Sequence, residues 1–210
     1  EKGYNVIVFD NFRTGNINNV HENAKIIKGD ICKKEDLDKV FHERIDIVYH
    51  FAAMLGVDNS DKRPLETMRI NLEGSVNVFK SAVEANVKRM IYASSSEVYG
   101  EPRELPIGED SVKGPVSAYG VSKLAAEIYA KAYNHEFGAD IKIVRFFNVY
   151  GRGQSNNFVI PIFINKALEN KPLKVFGEGS QTRCFTYVED IAEGVFTVLE
   201  KGKTGEAYNI

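Results

Sequence analysis

Two short stretches hold the densest concentration of reactive side chains. Ser94-Ser95-Ser96-Glu97-Val98-Tyr99-Gly100 places three hydroxyls and a carboxylate at the end of an apolar run that starts at Met90. Such groups are costly to bury without partners, although the same stretch also reads as a polar turn closing a strand. Tyr119-Gly-Val-Ser-Lys123 then sets a phenol and an ammonium four residues apart, on one face of a helix. A neighbouring cation favours phenolate, which is what a tyrosine needs to act as a general base near neutral pH. With 10 tyrosines in the chain, a lysine at this spacing also arises by chance, and a surface pair is the alternative reading.

Other polar residues follow short apolar runs. Asp10 ends the first run, where the carboxylate of a dinucleotide fold accepts hydrogen bonds from ribose hydroxyls; a solvated turn aspartate before Asn11 fits as well. Asp30, in Gly29-Asp30-Ile31, is placed either to meet an adenine amino group or to cap a helix. His50 opens His50-Phe51-Ala52-Ala53, whose small residues allow close backbone approach to a ligand. A packed, hydrogen-bonded histidine is the simpler account of it, and no ligand set stands near to suggest a metal. Asn148 ends the run containing Arg145, and Arg183 follows Gly179-Ser-Gln-Thr. Both are donors suited to a diphosphate, and equally a loop cap and a surface charge.

The elements that must position these groups alternate. Apolar runs at Val6 to Phe9, Lys25 to Ile27, Ile45 to Phe51, Met90 to Ala93, Ile141 to Phe147, Leu173 to Phe176 and Ala207 to Ile210 read as strands. Between them, Pro64 to Ala85, Ala118 to Phe137 and Glu189 to Leu199 carry apolar residues at helical spacing. This alternation predicts an α/β fold, a parallel sheet covered on both faces, with ligands beyond the carboxyl ends of the strands. After Asn148 the pattern loosens into glycine-rich loops, read as a smaller second lobe. Composition excludes several other classes. Lysine plus arginine is 27 against 29 aspartate plus glutamate, a net charge of −2 that gives no support for nucleic acid or an anionic membrane surface. No apolar run approaches the ~20 residues of a membrane span. Cys32 and Cys184 have neither metal-site spacing nor a disulfide framework around them, so a reducing cytoplasm is the expected setting. Glu1-Lys2-Gly3 reads as the last turn of a helix, so a preceding segment is expected.

Taken in order, strand-end Asp10, Gly29-Asp30, His50 to Ala53, Ser94 to Gly100, Tyr119 with Lys123, Arg145 to Asn148, and Arg183 resemble the extended short-chain dehydrogenase/reductase family. Within it they look like the NAD-dependent nucleotide-sugar epimerases and dehydratases, and the resemblance covers essentially the whole chain. It implies a Rossmann-type doubly wound parallel sheet at residues 1–149, to which 184–200 returns as a helix. Residues 150–210 would begin a smaller, incomplete substrate-binding lobe. The first strand and its GxxGxxG loop would precede Glu1.

It further implies that Ser95, Tyr119 and Lys123 are catalytic, with Glu97 beside them as a base for dehydration or decarboxylation or as a turn cap. NAD would contact Asp10, Asn11, Asp30, Ile31, Phe51, Ala52, Ala53, Asn71, Ala93, Tyr119, Lys123 and Phe146. Ser95, Ser96, Asn148 and Arg183 would hold a nucleotide sugar, with UDP the expected base carrier. No metal is implied. Family members pair two helices across a two-fold axis, so a homodimer through a four-helix bundle is expected from Pro64 to Ala85 and Ala118 to Phe137, with Ile70, Val78, Tyr129 and Tyr133 on the apolar surface.

Three departures bear on the reaction. Leu55 stands where UDP-galactose 4-epimerases carry lysine, Cys184 where aspartate is common, and Ser96 where dTDP-glucose dehydratases have aspartate. The Thr-Arg-Cys-Phe wording is nearer to UDP-glucuronate decarboxylases. A UDP-hexose 4-epimerase is the first reading and the decarboxylase the second, ahead of a 4,6-dehydratase; a dinucleotide-binding protein without catalysis is disfavoured by the presence of Ser95, Tyr119 and Lys123 together.

Overall fold

The computed structural model describes residues 3–55 and 62–210. The helix-end reading of Glu1 and Lys2 lies outside them. Five strands follow the expected positions: β1 (Ile7–Asp10), β2 (Lys25–Lys28), β3 (Ile47–His50), β4 (Arg89–Ser95) and β5 (Ile141–Phe146). β1 and β2 pair in parallel, and β3, β4 and β5 form a second parallel sheet completed by the last strand. β1 pairs only with β2, and β3 only with β4, so each keeps one open edge among the described residues.

β4 shows why central strands here are continuous apolar runs. Met90 and Tyr92 enter one buried cluster with Phe79 and Ala126, while Ile91 enters the other with Val195 and Leu199. A strand covered on both faces has no solvent side, so apolar and polar residues do not alternate along it. One face is covered by α1 (Lys34–Phe41), α3 (Gly74–Glu84) and α4 (Ala118–Phe137), with the short α2 (Pro64–Met68) against α4. The other is covered by α6 (Val188–Lys201). The stretch expected as one helix from Pro64 to Ala85 is divided by a π-helical turn at Arg69–Glu73, with Asn71 fully buried at its centre. π-Turns of this kind are frequent at functional sites.

α4 runs as the periodicity predicts, from the Ser117 N-cap, whose hydroxyl accepts from Gly120 N at 3.0 Å, to Gly138 at φ 66. On the pair of helices expected to dimerise, Val78 is a core residue and Ile70 and Tyr133 pack against the core, which removes them from the exposed face. Tyr129 stays outside with Leu65, Val121 and Ile128.

The second lobe differs from expectation. Its sheet is β6 (Asn148–Tyr150) with β7 (Phe185–Tyr187), in parallel. Leu173 to Phe176 is not a strand: Leu173, Val175 and Phe176 are exposed, and no sheet edge pairs with them. A helix unmarked in the sequence, α5 (Val159–Leu168), accommodates Pro161 because it lies in the first turn, where a missing N–H is tolerated. β8 (Ala207–Asn209) pairs with β5, so the chain returns to the main sheet after α6.

Candidate active site

The chemistry gathers where β4 ends against the start of α4. Ser95 closes the strand, and its Oγ accepts from Glu97 N at 3.2 Å, starting the single turn Ser96–Val98. Gly120 lets the helix approach that turn, because a Cβ there would lie 2.7 Å from the Glu97 carbonyl oxygen. The approach delivers Tyr119, whose phenol hydrogen-bonds Ser95. One helical turn on, Lys123 is 2% exposed and donates from Nζ to the Ala93 carbonyl at 2.7 Å. Its ammonium stands 5.8 Å from the centre of the Tyr119 ring. The four catalytic candidates are thus held by one strand end and one helix start.

Burial dominates their electrostatics. Burial pushes the Tyr119 phenol above its ordinary value and the Glu97 carboxylate adds to this, while the Ser95 hydrogen bond opposes both. Burial likewise lowers the pKa of the Lys123 ammonium to about 7, against the pull of Glu127.

The expected cofactor positions fall into two groups. Asp10 ends β1 half-buried, with Oδ1 accepting from Phe12 N at 2.6 Å, and Asn11 is exposed after it. Asp30 lies two residues past the end of β2 and forms a turn, accepting from Cys32 N at 2.9 Å. It does not cap α1, which starts at Lys33 without a side-chain cap. Phe51, half-exposed, meets Phe146 edge-on with centroids 6.0 Å apart, and Ala52 and Ala53 follow at the same rim. Ala93 offers its carbonyl to Lys123.

Two positions stand behind the surface. Ile31 is a core residue, packed so closely that a Cβ on Gly74 would lie 2.5 Å from its Cδ1. Asn71 is wholly buried: Oδ1 accepts from Met54 N at 2.7 Å, and Nδ2 donates to Met54 O and Ser122 Oγ. It fixes the loop after β3 to α4 instead of lining the surface.

At the substrate end, Ser96 is half-buried in its turn. Asn148 Nδ2 donates to the Cys184 carbonyl at 3.1 Å, beside exposed Arg183, whose Nη1 donates to the Thr182 carbonyl at 2.7 Å. The sequence reading passed over Glu127. Its signal was present: a carboxylate four residues past Lys123 and eight past Tyr119, on the same helix face. Among the described residues no three metal-binding side chains converge, and no helix is long and apolar enough to cross a membrane.

The model of the NAD dependent epimerase/dehydratase family matches residues 1–210. The chain belongs to that family. It is 39% identical over 203 residues to a putative UDP-glucose 4-epimerase of Methanocaldococcus jannaschii, covering 95% of this chain and 67% of that protein. It is 42% identical over 190 residues to the dTDP-D-glucose 4,6-dehydratase of Homo sapiens, covering 90% of this chain and only 54% of that protein. Among solved structures, a UDP-glucose 4-epimerase of Thermotoga maritima with UDP-glucose superposes with a TM-score of 0.95 at 31% identity, over 99% of this chain and 69% of that one. The Rossmann-type fold follows from that match.

The residues present suit the NAD of this family. A dinucleotide spans strand ends, and here the acceptors Asp10 and Asp30 stand at the end of β1 and just past β2, while buried Tyr119 and Lys123 open α4 beside the end of β4. Between them in the chain, the Ala52-Ala53 rim carries small side chains on a loop that Asn71 holds in place.

Proposed function

We propose that the chain carries the catalytic centre of a nucleotide-sugar 4-epimerase acting on a UDP-hexose. The observation that supports it is the convergence of Ser95, Tyr119 and Lys123 at the end of β4. When bound, NAD supplies the acceptor for a hydride and its return. Asp10 and Asp30 hold its adenosine end, and Lys123 its nicotinamide ribose. Tyr119 removes the proton from the C4 hydroxyl of the sugar as the C4 hydride departs, leaving a 4-keto sugar. Ser95 donates a hydrogen bond to the same oxygen and relays the proton. Ser96 borders the sugar, while Asn148 and Arg183 hold the nucleotide phosphates. Return of hydride to the opposite face, with the proton returned from Tyr119, completes the inversion.

A second reading, dehydration or decarboxylation, is favoured by Glu97, whose charge is felt at Tyr119 and which is placed to remove a proton near the oxidised sugar. Likeness to the human dehydratase adds to it, while Ser96 in place of aspartate weighs against it. The test gives the intact enzyme UDP-glucose, UDP-glucuronate and dTDP-glucose separately, each with NAD. A C4-inverted hexose is the expected product. Carbon dioxide with a pentose, or a 4-keto-6-deoxy sugar, would overturn the epimerase reading.

Exposed Leu65, Val121, Ile128 and Tyr129 on α2 and α4 support a homodimer through these helices. Light scattering of the intact protein at micromolar concentration is expected to give twice the chain mass; a monomer mass removes this part. The two free cysteines are in keeping with a reducing cytoplasm.

A further inference from the structure

Behind Lys123 stands an ion pair that the proposed chemistry does not use. Arg145 on β5 grips Glu127 through Nε at 2.9 Å and Nη2 at 2.7 Å, and both residues are 2% exposed. Ser94 donates from Oγ to the same carboxylate at 2.5 Å. The last residues of β4 and successive turns of α4 therefore meet pairwise: Ser95 with Tyr119, Ala93 with Lys123, Ser94 with Glu127. Taking two charges out of water is expensive, and a packed apolar pair is often as stable, so stability is a weak reason for this pair. Its place, one turn from the lysine, suggests another.

We propose that Glu127, clamped by Arg145 and Ser94, is a positioning residue that keeps Lys123 charged and so sets the pH range in which Tyr119 acts as base. The proposal rests on the roles given above to Tyr119 and Lys123. The groups around the ammonium leave few alternatives. From α4 come Tyr119 and Glu127; from β4 come the Ala93 carbonyl and the Tyr92 ring, 5.2 Å away. From β3 comes His50, which burial and the charge of Lys123 hold neutral, with its pKa lowered to about 3. Glu127 is the group that opposes the desolvation of Lys123, whereas Glu97 acts on Tyr119. Facing Glu127 itself are Arg145, Ser94 and, from the segment before α4, Lys113. Because Arg145 grips that carboxylate, its charge opposes the pull of Glu127 on the lysine.

The test follows the Cε chemical shift of Lys123 against pH in the intact chain labelled with ¹³C-lysine, the signal being assigned by its loss in Lys123→Met. The native inflection is expected near pH 7. Glu127→Gln should lower it by about one pH unit or more, and Arg145→Gln should raise it by a similar amount, since each removes one charge of the pair. Opposite shifts are a signature that loosened packing does not produce. Where the single variants fail to fold, Glu127→Gln with Arg145→Gln removes both charges and retains hydrogen-bonding amides; the inflection should fall there too, by less. An unmoved inflection, or shifts of the same sign in both single variants, would overturn the proposal. Loss of the fold in all three assigns the pair to the core and overturns it as well. Failure of the underlying roles is seen separately, as full turnover by Tyr119→Phe, which leaves the Lys123 titration in place.

Discussion

The wall between β4 and α4 and the lobe between β6 and β7 handle polar groups in opposite ways. In the wall, Ser94, Ser95, Lys123, Glu127 and Arg145 are buried and bonded to one another. In the lobe, α5 buries no residue, and the side chains of Asn148 and Arg183 donate to backbone carbonyls at the surface. Groups that must meet a reacting atom within tenths of an ångström are held by packing on rigid elements. Groups that hold a charged ligand from outside tolerate a looser, glycine-rich frame. Under the proposed function the two regions would divide bond-making from recognition, and variants in each should fail differently.

The largest expected effect is in the wall. Tyr119→Phe keeps the ring and removes the proton acceptor, so turnover by the intact enzyme should fall by at least ~10²-fold, with NAD affinity nearly unchanged. Retention of more than half the activity would show that the base is another group.

That division also explains what could be read from the sequence. The wall was legible because its strand is a continuous apolar run and its helix has a capping serine and a 3.6-residue period, so Ser95, Tyr119 and Lys123 were placed on the correct elements. Glu127 and Arg145 were not linked, since a pairing between a helix and a strand 18 residues apart leaves no local pattern. Asn71 is a cofactor contact only by family resemblance, and its burial depends on a π-turn that helical periodicity does not encode. The lobe was least legible: the apolar residues of Leu173 to Phe176 imitate a strand, but strand formation requires a neighbouring edge, which only the folded chain reveals.

A smaller effect separates function from stability within the wall. Lys123 has a pKa near 7 when folded, below the 10.5 of an unperturbed lysine. Between those values the unfolded chain binds the additional proton, so this residue makes stability rise with pH from about 7 to 10.5, and its full penalty applies below 7. Lys123→Met should therefore abolish turnover yet raise the stability of the cofactor-free protein by about 1–3 kcal/mol at pH 7, the lost bond to Ala93 offsetting part of the gain. Urea unfolding at pH 6, 7 and 9 measures it, and the advantage should shrink at pH 9. A variant less stable than the native chain at pH 6 would mean that the lysine is not held at a cost.

The smallest effect belongs to the lobe and sharpens the comparison from the other side. Arg183 is exposed and its guanidinium donates to the carbonyl of the preceding residue, so its loss should cost the fold little. If its work is to hold the phosphates of the nucleotide sugar, the interaction is the same before and during the chemical step. Losing it then weakens binding uniformly. Arg183→Ala should raise KM for the nucleotide sugar about tenfold, the scale of one exposed charge-assisted contact, and change kcat less than twofold. Steady-state kinetics with saturating NAD separates the two constants. An unchanged KM would remove Arg183 from the phosphate site, and a large fall in kcat with KM intact would place it with the wall, ending the division of labour between the two regions.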